Sequence, residues 1–245
     1  MKTLKNKFMK MTGMAIFFLY LVPVCDAQCD PDVIVFRTPK GNSICGWYSM
    51  EHPDTNYINY WTKCWDSLFP NATLLAPYSE TYSCHAYAWI MVEGGPTCHT
   101  AMENVFWEDG SYSETTEADA EKIYYYDYVG DYPLGSYKTE SHSAVKSDTV
   151  GMYESKWGIA PLFRHDPDDT PYQHLQYRKY YRRCNGHSFD FINQTVTTDI
   201  TIKCNNIYVE GVTVSNNAKL KLETSGEVTI KGPFQIQLGS ELKVK

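Results

Sequence analysis

The chain has 245 residues, 43% hydrophobic and 21% charged, which is a globular composition and excludes a disordered one. That length suits one good-sized domain, or a domain with a small appendage. A net charge of -7 excludes a general nucleic-acid binder, because phosphate binding needs clustered cations. The 20 tyrosines suit an aromatic-rich, polar-rimmed surface of the kind that contacts peptides or glycans.

In chain order, Lys2, Lys5, Lys7 and Lys10 precede the apolar run Met14–Val22, and Cys25-Asp26-Ala27 comes next as a cleavage site. This is the pattern of a signal peptide over residues 1–27. The apolar run is too short for a membrane span, so no transmembrane segment is expected. Acylation of Cys25 or Cys29 is disfavoured by the neighbours Val24 and Gln28. The protein is read as exported (periplasm, cell surface or secreted), with a leader of bacterial style. Export exposes cysteines to an oxidising compartment. Of the 8 cysteines, Cys25 leaves with the leader, and the remaining odd number predicts three bridges and one spare thiol, read as Cys84. The pairing is not legible.

Tyr60, Trp61, Cys64, Trp65 and Leu68 fall at helical spacing and predict a helix over 57–69, ended by Pro70. A second helix is predicted from Cys84 to about Val92, capped by Ser83 and stopped by Gly94-Gly95-Pro96. Residues 105–112 read as a strand entering a turn at Asp109-Gly110, and Ile123–Tyr126 as another strand, with a loop over 129–137 after it. Ser141–Lys146 and Met152–Gly158 flank a turn and read as a hairpin. Pro161–Tyr172 reads as a loop, and a helical or irregular basic segment continues to Cys184, its cations solvated. From about Phe189, β-branched residues alternate with polar ones at short, regular intervals, predicting a small β-solenoid or sandwich.

The chemistry concentrates at Tyr82-Ser83-Cys84-His85-Ala86. A thiol in the first turn of a helix is biased toward thiolate. A thiol nucleophile also needs a base, and the base a partner that orients it. His142 opens a strand downstream, and Glu154 lies on the return strand, with Ser155 competing for that third role if the register slips. Oxyanion donors would be the Cys84 N–H and the hydroxyl of Tyr78 or Tyr82. His85 reads as pointing elsewhere on the helix, His165 as a loop histidine or a cleft residue, and Asp109 as a turn residue. Cys84-His85 with Cys98-His99 mimics a zinc site, but the spacing is unusual for ligands; no metal and no cofactor are expected. The sequons at Asn71 and Asn193 would stay bare in a bacterial protein.

The segments Ser83-Cys84-His85-Ala86, His142-Ser143-Ala144-Val145 and Glu154-Ser155-Lys156-Trp157-Gly158 resemble the NlpC/P60 and CHAP superfamily of cysteine hydrolases. That resemblance implies an α+β, papain-like domain over 28–188 that cleaves amide bonds in peptides or peptidoglycan stems. In it, Cys84 is the nucleophile, His142 the base and Glu154 the orienting residue. The last lines of the chain resemble the short three-coil β-helix tails of exported proteins from Bacteroidetes-type bacteria, implying an all-β tail over 189–245 with a role in packing or cell-surface association. The alternative is a non-catalytic surface binding or adhesion protein on the same fold, with Cys84 in a disulfide.

Overall fold

A computed structural model describes residues 33–52, 54–127, 140–186 and 188–245. The signal-peptide reading of 1–27 and the loop over 129–137 lie outside the described residues. The elements run β1 (Ile34–Arg37), β2 (Ser43–Cys45), α1 (Thr55–Leu68), β3 (Thr73–Ala76), α2 (Cys84–Trp89), α3 (Val105–Glu108), β4 (Tyr112–Thr115), β5 (Lys122–Tyr126), β6 (Ser141–Lys146), β7 (Tyr153–Lys156), β8 (Leu162–His165) and β9 (Tyr177–Arg183). The tail then contributes β10 (Ser188–Ile192), β11 (Thr195–Val196), β12 (Ile200–Lys203), β13 (Asn206–Val214), β14 (Lys219–Glu223), β15 (Val228–Ile236) and β16 (Glu241–Val244).

The fold is mostly β, with 41% strand and 16% helix, which corrects the expected α+β, papain-like class. The physical reason lies in segments that join the sheet only when tertiary partners are present. Leu162–His165, inside an expected loop, pairs with both β7 and β3. The basic run, expected to be helical or irregular, is β9, paired with β5 on one side and β4 on the other. Its cations are neutralised locally: Arg178 meets Asp168, Lys179 meets Glu114, Arg182 meets Asp119, and Arg183 meets Glu93. Tyr181, on the same strand, is buried. The expected strand over 105–112 also differs. Its first half makes the single helical turn α3, which drives Phe106 into the core. Asp109 then turns the chain by accepting from Ser111 N at 2.7 Å.

Seven strands form one antiparallel sheet in the order β3-β8-β7-β6-β5-β9-β4. Side chains alternate between its faces. Tyr124, Tyr181 and Val145 share one face with the core around Trp89, Phe106 and Ile44. Ile123, Tyr125, Ala144 and Tyr153 line the other, covered by Leu175 and Tyr172. The helix α2 packs on β6 and β7. Fully buried Ala86 and Ala88 let its axis approach the sheet. Trp89 fixes it, ringed by Phe106, Trp107, Tyr112 and Tyr181 with centroids 5.3–5.6 Å away.

In the tail, β10 and β11 pair in parallel with β13, and β13 with β15; β12, β14 and β16 form a second parallel ladder. Phe191, Val209, Ile202, Leu220 and Leu222 fill the space between them. Corners stack as well: a Cβ on Gly239 would meet Asn217 Oδ1 at 2.1 Å, so that turn accepts only glycine over asparagine. The stack is fastened to the large sheet at β4. Ser113 Oγ donates to Lys203 O (2.8 Å), Thr201 N donates to Glu114 Oε2 (2.8 Å), and the Cys184–Cys204 disulfide joins the ends of β9 and β12. Among the described residues, no helix is long and apolar enough to cross a membrane.

Candidate functional site around Cys84

The start of α2 is built locally. Ser83 has extended backbone and its side chain accepts from Ala86 N, closing the first turn on Cys84. At the other end, the buried Lys122 ammonium donates to Ala88 O at 2.6 Å and to Glu93 at 2.9 Å, placing a cation on the last carbonyls of the helix. Clamped at both ends, α2 holds the Cys84 backbone in one place against β6. The thiol is free, and only 6% of the residue is exposed.

Two imidazoles act on that thiol. Burial by itself pushes a thiol up; His85 and His142 oppose it and leave Cys84 well below its ordinary value. With only six residues in α2, the helix dipole is a minor contributor, and the imidazoles are the main reason the thiolate is favoured. Burial lowers His142, while the thiol pulls it back up. The proton therefore belongs to the Cys84–His142 pair as a unit. His142 is fully buried, and neither ring nitrogen makes a regular hydrogen bond among the described residues, so the thiol is its polar partner in the site. Its ring is held between two tyrosines: Tyr172 stacks face to face at 3.7 Å and 7°, and Tyr125 lies tilted at 41° with its centroid 5.6 Å away.

His85 is wired to the opposite face of β6. Its Nδ1 lies 2.8 Å from Ser143 Oγ, which also accepts from Trp89 Nε1 at 2.9 Å; its Nε2 lies 3.2 Å from Ser141 Oγ and 3.8 Å from Glu103 Oε1. Helical position alone directs this histidine away from the chemistry, whereas the structure couples it to the thiol. Local pattern carries no signal for that, because the coupling depends on β6 lying beneath the helix.

The structure brings Cys84 and His142 together but does not place Glu154 on His142. Register decides this. Glu154 pairs with Val145 and therefore faces the Ser143 side of the sheet, whereas His142 faces the other. Glu154 Oε1 accepts from Arg164 Nε (3.0 Å), Arg164 Nη2 (2.9 Å) and Ser147 Oγ (2.9 Å), and Tyr87 donates to its Oε2 at 3.3 Å. Ser155 is on the His142 face but is committed to His165. Nδ1 of His165 faces Asp166 O at 2.7 Å and so carries the proton. Nε2 then accepts from Ser155 Oγ at 2.7 Å, while Ser155 accepts from Trp157 Nε1 at 2.9 Å. Burial lowers His165 from 6.5 to about 4, so it is neutral. Of the two tyrosines considered as oxyanion donors, Tyr78 gives its hydroxyl to Glu80 (2.7 Å), and the Tyr82 ring lies under Lys156.

The cysteine arithmetic also changes. Cys64, Cys84 and Cys98 are free, rather than Cys84 alone, while Cys45 is disulfide-bonded. Cys98 sits in the Trp89 core, and His99 lies 2.8 Å from Glu80 O and stacks on Trp47 at 5.3 Å. Among the described residues, no group of three or more His, Cys, Asp or Glu is arranged to hold a metal.

Comparison with protein-family models, with characterised proteins and with solved structures returns no match for this chain. The resemblance of the three short motifs therefore stands on those residues alone.

Proposed function

We propose that the protein is an exported thiol hydrolase of amide bonds, acting on peptides or peptidoglycan stem peptides. The observation that carries the reading is the free Cys84 thiol, fixed at a capped helix start and depressed by two imidazoles. That is the environment an activated nucleophile requires. In this reading His142 takes the thiol proton, the thiolate attacks the amide carbonyl, and His142 returns the proton to the leaving amine. Water then resolves the thioester. Stacking on Tyr172, with Tyr125 packed at a tilt beside it, does the orienting that a third polar residue was expected to do. Because His142 is fully buried beneath Tyr172, substrate entry requires the Tyr172 loop to shift. Export is supported by the disulfides at Cys45 and at Cys184–Cys204.

A second reading, a surface binding protein, draws on a different observation. The helix α1 buries no residue, and Trp47, Tyr48, Met50, Tyr60 and Trp61 are exposed nearby in the chain. The two readings separate on the thiol. Iodoacetamide labelling of the non-reduced protein from about pH 4 to about pH 9, with peptide mapping, is expected to modify Cys84 well below the ordinary thiol range near 8.5. Labelling that appears only above that range, or not at all, removes the hydrolase reading and leaves the binding one.

A further inference from the structure

Lys156 occupies β7 with its whole side chain buried. An ammonium has three donors and no acceptor, and all three of its donors are used on backbone: Ser79 O at 2.8 Å, Gly158 O at 3.1 Å, and Ala160 O. The cation lies 4.9 Å from the centroid of the Tyr82 ring. Among the described residues it forms no ion pair. The charges that act on it are Glu51, the Cys84 thiol and Glu80. An ammonium in the interior with no contact counter-ion is costly to keep, and the core could have filled this volume with an apolar chain.

Its position explains what it does. Ser79 belongs to the segment that leads into Ser83 and Cys84, whereas Gly158 and Ala160 form the turn between β7 and β8. Ser79 N also donates to Ile159 O at 3.3 Å, so that segment and that turn are laced together through one ammonium and one backbone bond. Glu51 completes the lacing on the outer side, accepting from Ser79 Oγ at 2.5 Å and from Glu80 N at 3.2 Å. His85 from α2 and His142 from β6 act on the Cys84 thiol, and the thiol in turn acts through space on Lys156 from β7 and on Tyr172 from the loop over β6.

We propose that Lys156 is the positioning residue of the Cys84 site: its ammonium clamps the segment entering α2 to the β7–β8 turn, and its charge holds the Cys84 thiolate. The inference rests on the reading of Cys84 as a reactive thiol. Burial brings Lys156 down to about 7, so the clamp carries full charge only below neutrality and weakens as pH rises.

The test is the pH profile of Cys84 alkylation by iodoacetamide in the full chain, wild type against Lys156→Met. Loss of the charge is expected to raise the midpoint by about one unit, so labelling at about pH 6 falls roughly tenfold while the plateau at about pH 9 is retained. A folded Lys156→Met protein with an unchanged midpoint overturns the proposal. A second measurement serves if that variant does not fold. Coupling is reciprocal, so in Cys84→Ser the Lys156 Nζ titration, tracked by nitrogen NMR, is expected at lower pH than in wild type. An unmoved Nζ titration overturns the proposal equally. A wild-type Cys84 that never labels overturns the hydrolase reading and this inference with it; a labelling Cys84 indifferent to Lys156 overturns this inference alone.

Discussion

Cys84 and Cys98 flank the same short helix and the loop after it, both are buried, and both carry free thiols. Their electrostatics are opposite. Cys98 lies among Ala88, Ile90 and Phe106 in the apolar core; burial is the sole influence on it and pushes the thiol up to about 11. Cys84 meets the same penalty and is nevertheless held well below its ordinary value, because His85 and His142 face it. Burial alone therefore raises a thiol, and what brings a buried thiol back down is the set of imidazoles it is buried with.

The imidazoles repeat the contrast. His142 and His165 are both fully buried. His165 has each nitrogen satisfied, by Asp166 O and by Ser155, whereas among the described residues neither nitrogen of His142 makes a regular hydrogen bond and its polar partner is the thiol. One is locked in a neutral tautomer by two hydrogen bonds; the other has the Cys84 thiol as its polar neighbour.

If the proposed hydrolase reading holds, His142→Ala is expected to lower peptide-amide hydrolysis by about a thousandfold, within the range for a general acid–base residue. Hydrolysis within about threefold of wild type would return His142 to the structural class of His165.

For His165 the readout is stability. Its value is lowered in the folded state, so folding disfavours its protonation. Its contribution is complete above the unfolded value of about 6.5 and is lost as pH falls from there toward about 4. Chemical denaturation across that window is expected to show a loss of about 3 kcal/mol, which His165→Gln largely removes. An unchanged pH dependence in that variant would mean that other groups carry the acid sensitivity.

His85→Ala removes one of two imidazoles and is expected to raise the Cys84 midpoint by about one unit, a change of about 1.4 kcal/mol, with His142 still in place. A shift as large as that of His142→Ala would make His85 the principal partner.

Two variants should leave the profile of Cys84 where it is. Cys98→Ala takes away a thiol that never ionises in the working range. Glu154→Gln breaks the pairing with Arg164 at a cost of about 1 kcal/mol, on the face of the sheet opposite His142. Movement of the alkylation midpoint in Glu154→Gln would put the carboxylate back in the site.

The local parts of the molecule are legible in the amino-acid sequence. Ser83 before Cys84 makes a capped helix start, Gly94-Gly95-Pro96 ends that helical stretch, and the helix at 55–68 matches the spacing of its aromatic residues. The hairpin of β6 and β7 and the short strands of the tail were equally legible, because periodicity and turn residues act over a few neighbours. The rest depends on partners that are distant in the chain. Arg178–Arg183 is a strand because β4 and β5 pair with it on both sides, and carboxylates from other segments neutralise its cations there. Phe106 is in a helical turn because the Trp89 core has room for its ring there. Glu154 faces away from His142 because parity in a strand is absolute: one residue of register moves a side chain to the other side of the sheet. Neither the His85 coupling nor the Lys156 clamp has a local signature. Both arise from groups far apart in sequence that fold into one low-dielectric interior, where burial and neighbouring charge set the chemistry of each side chain.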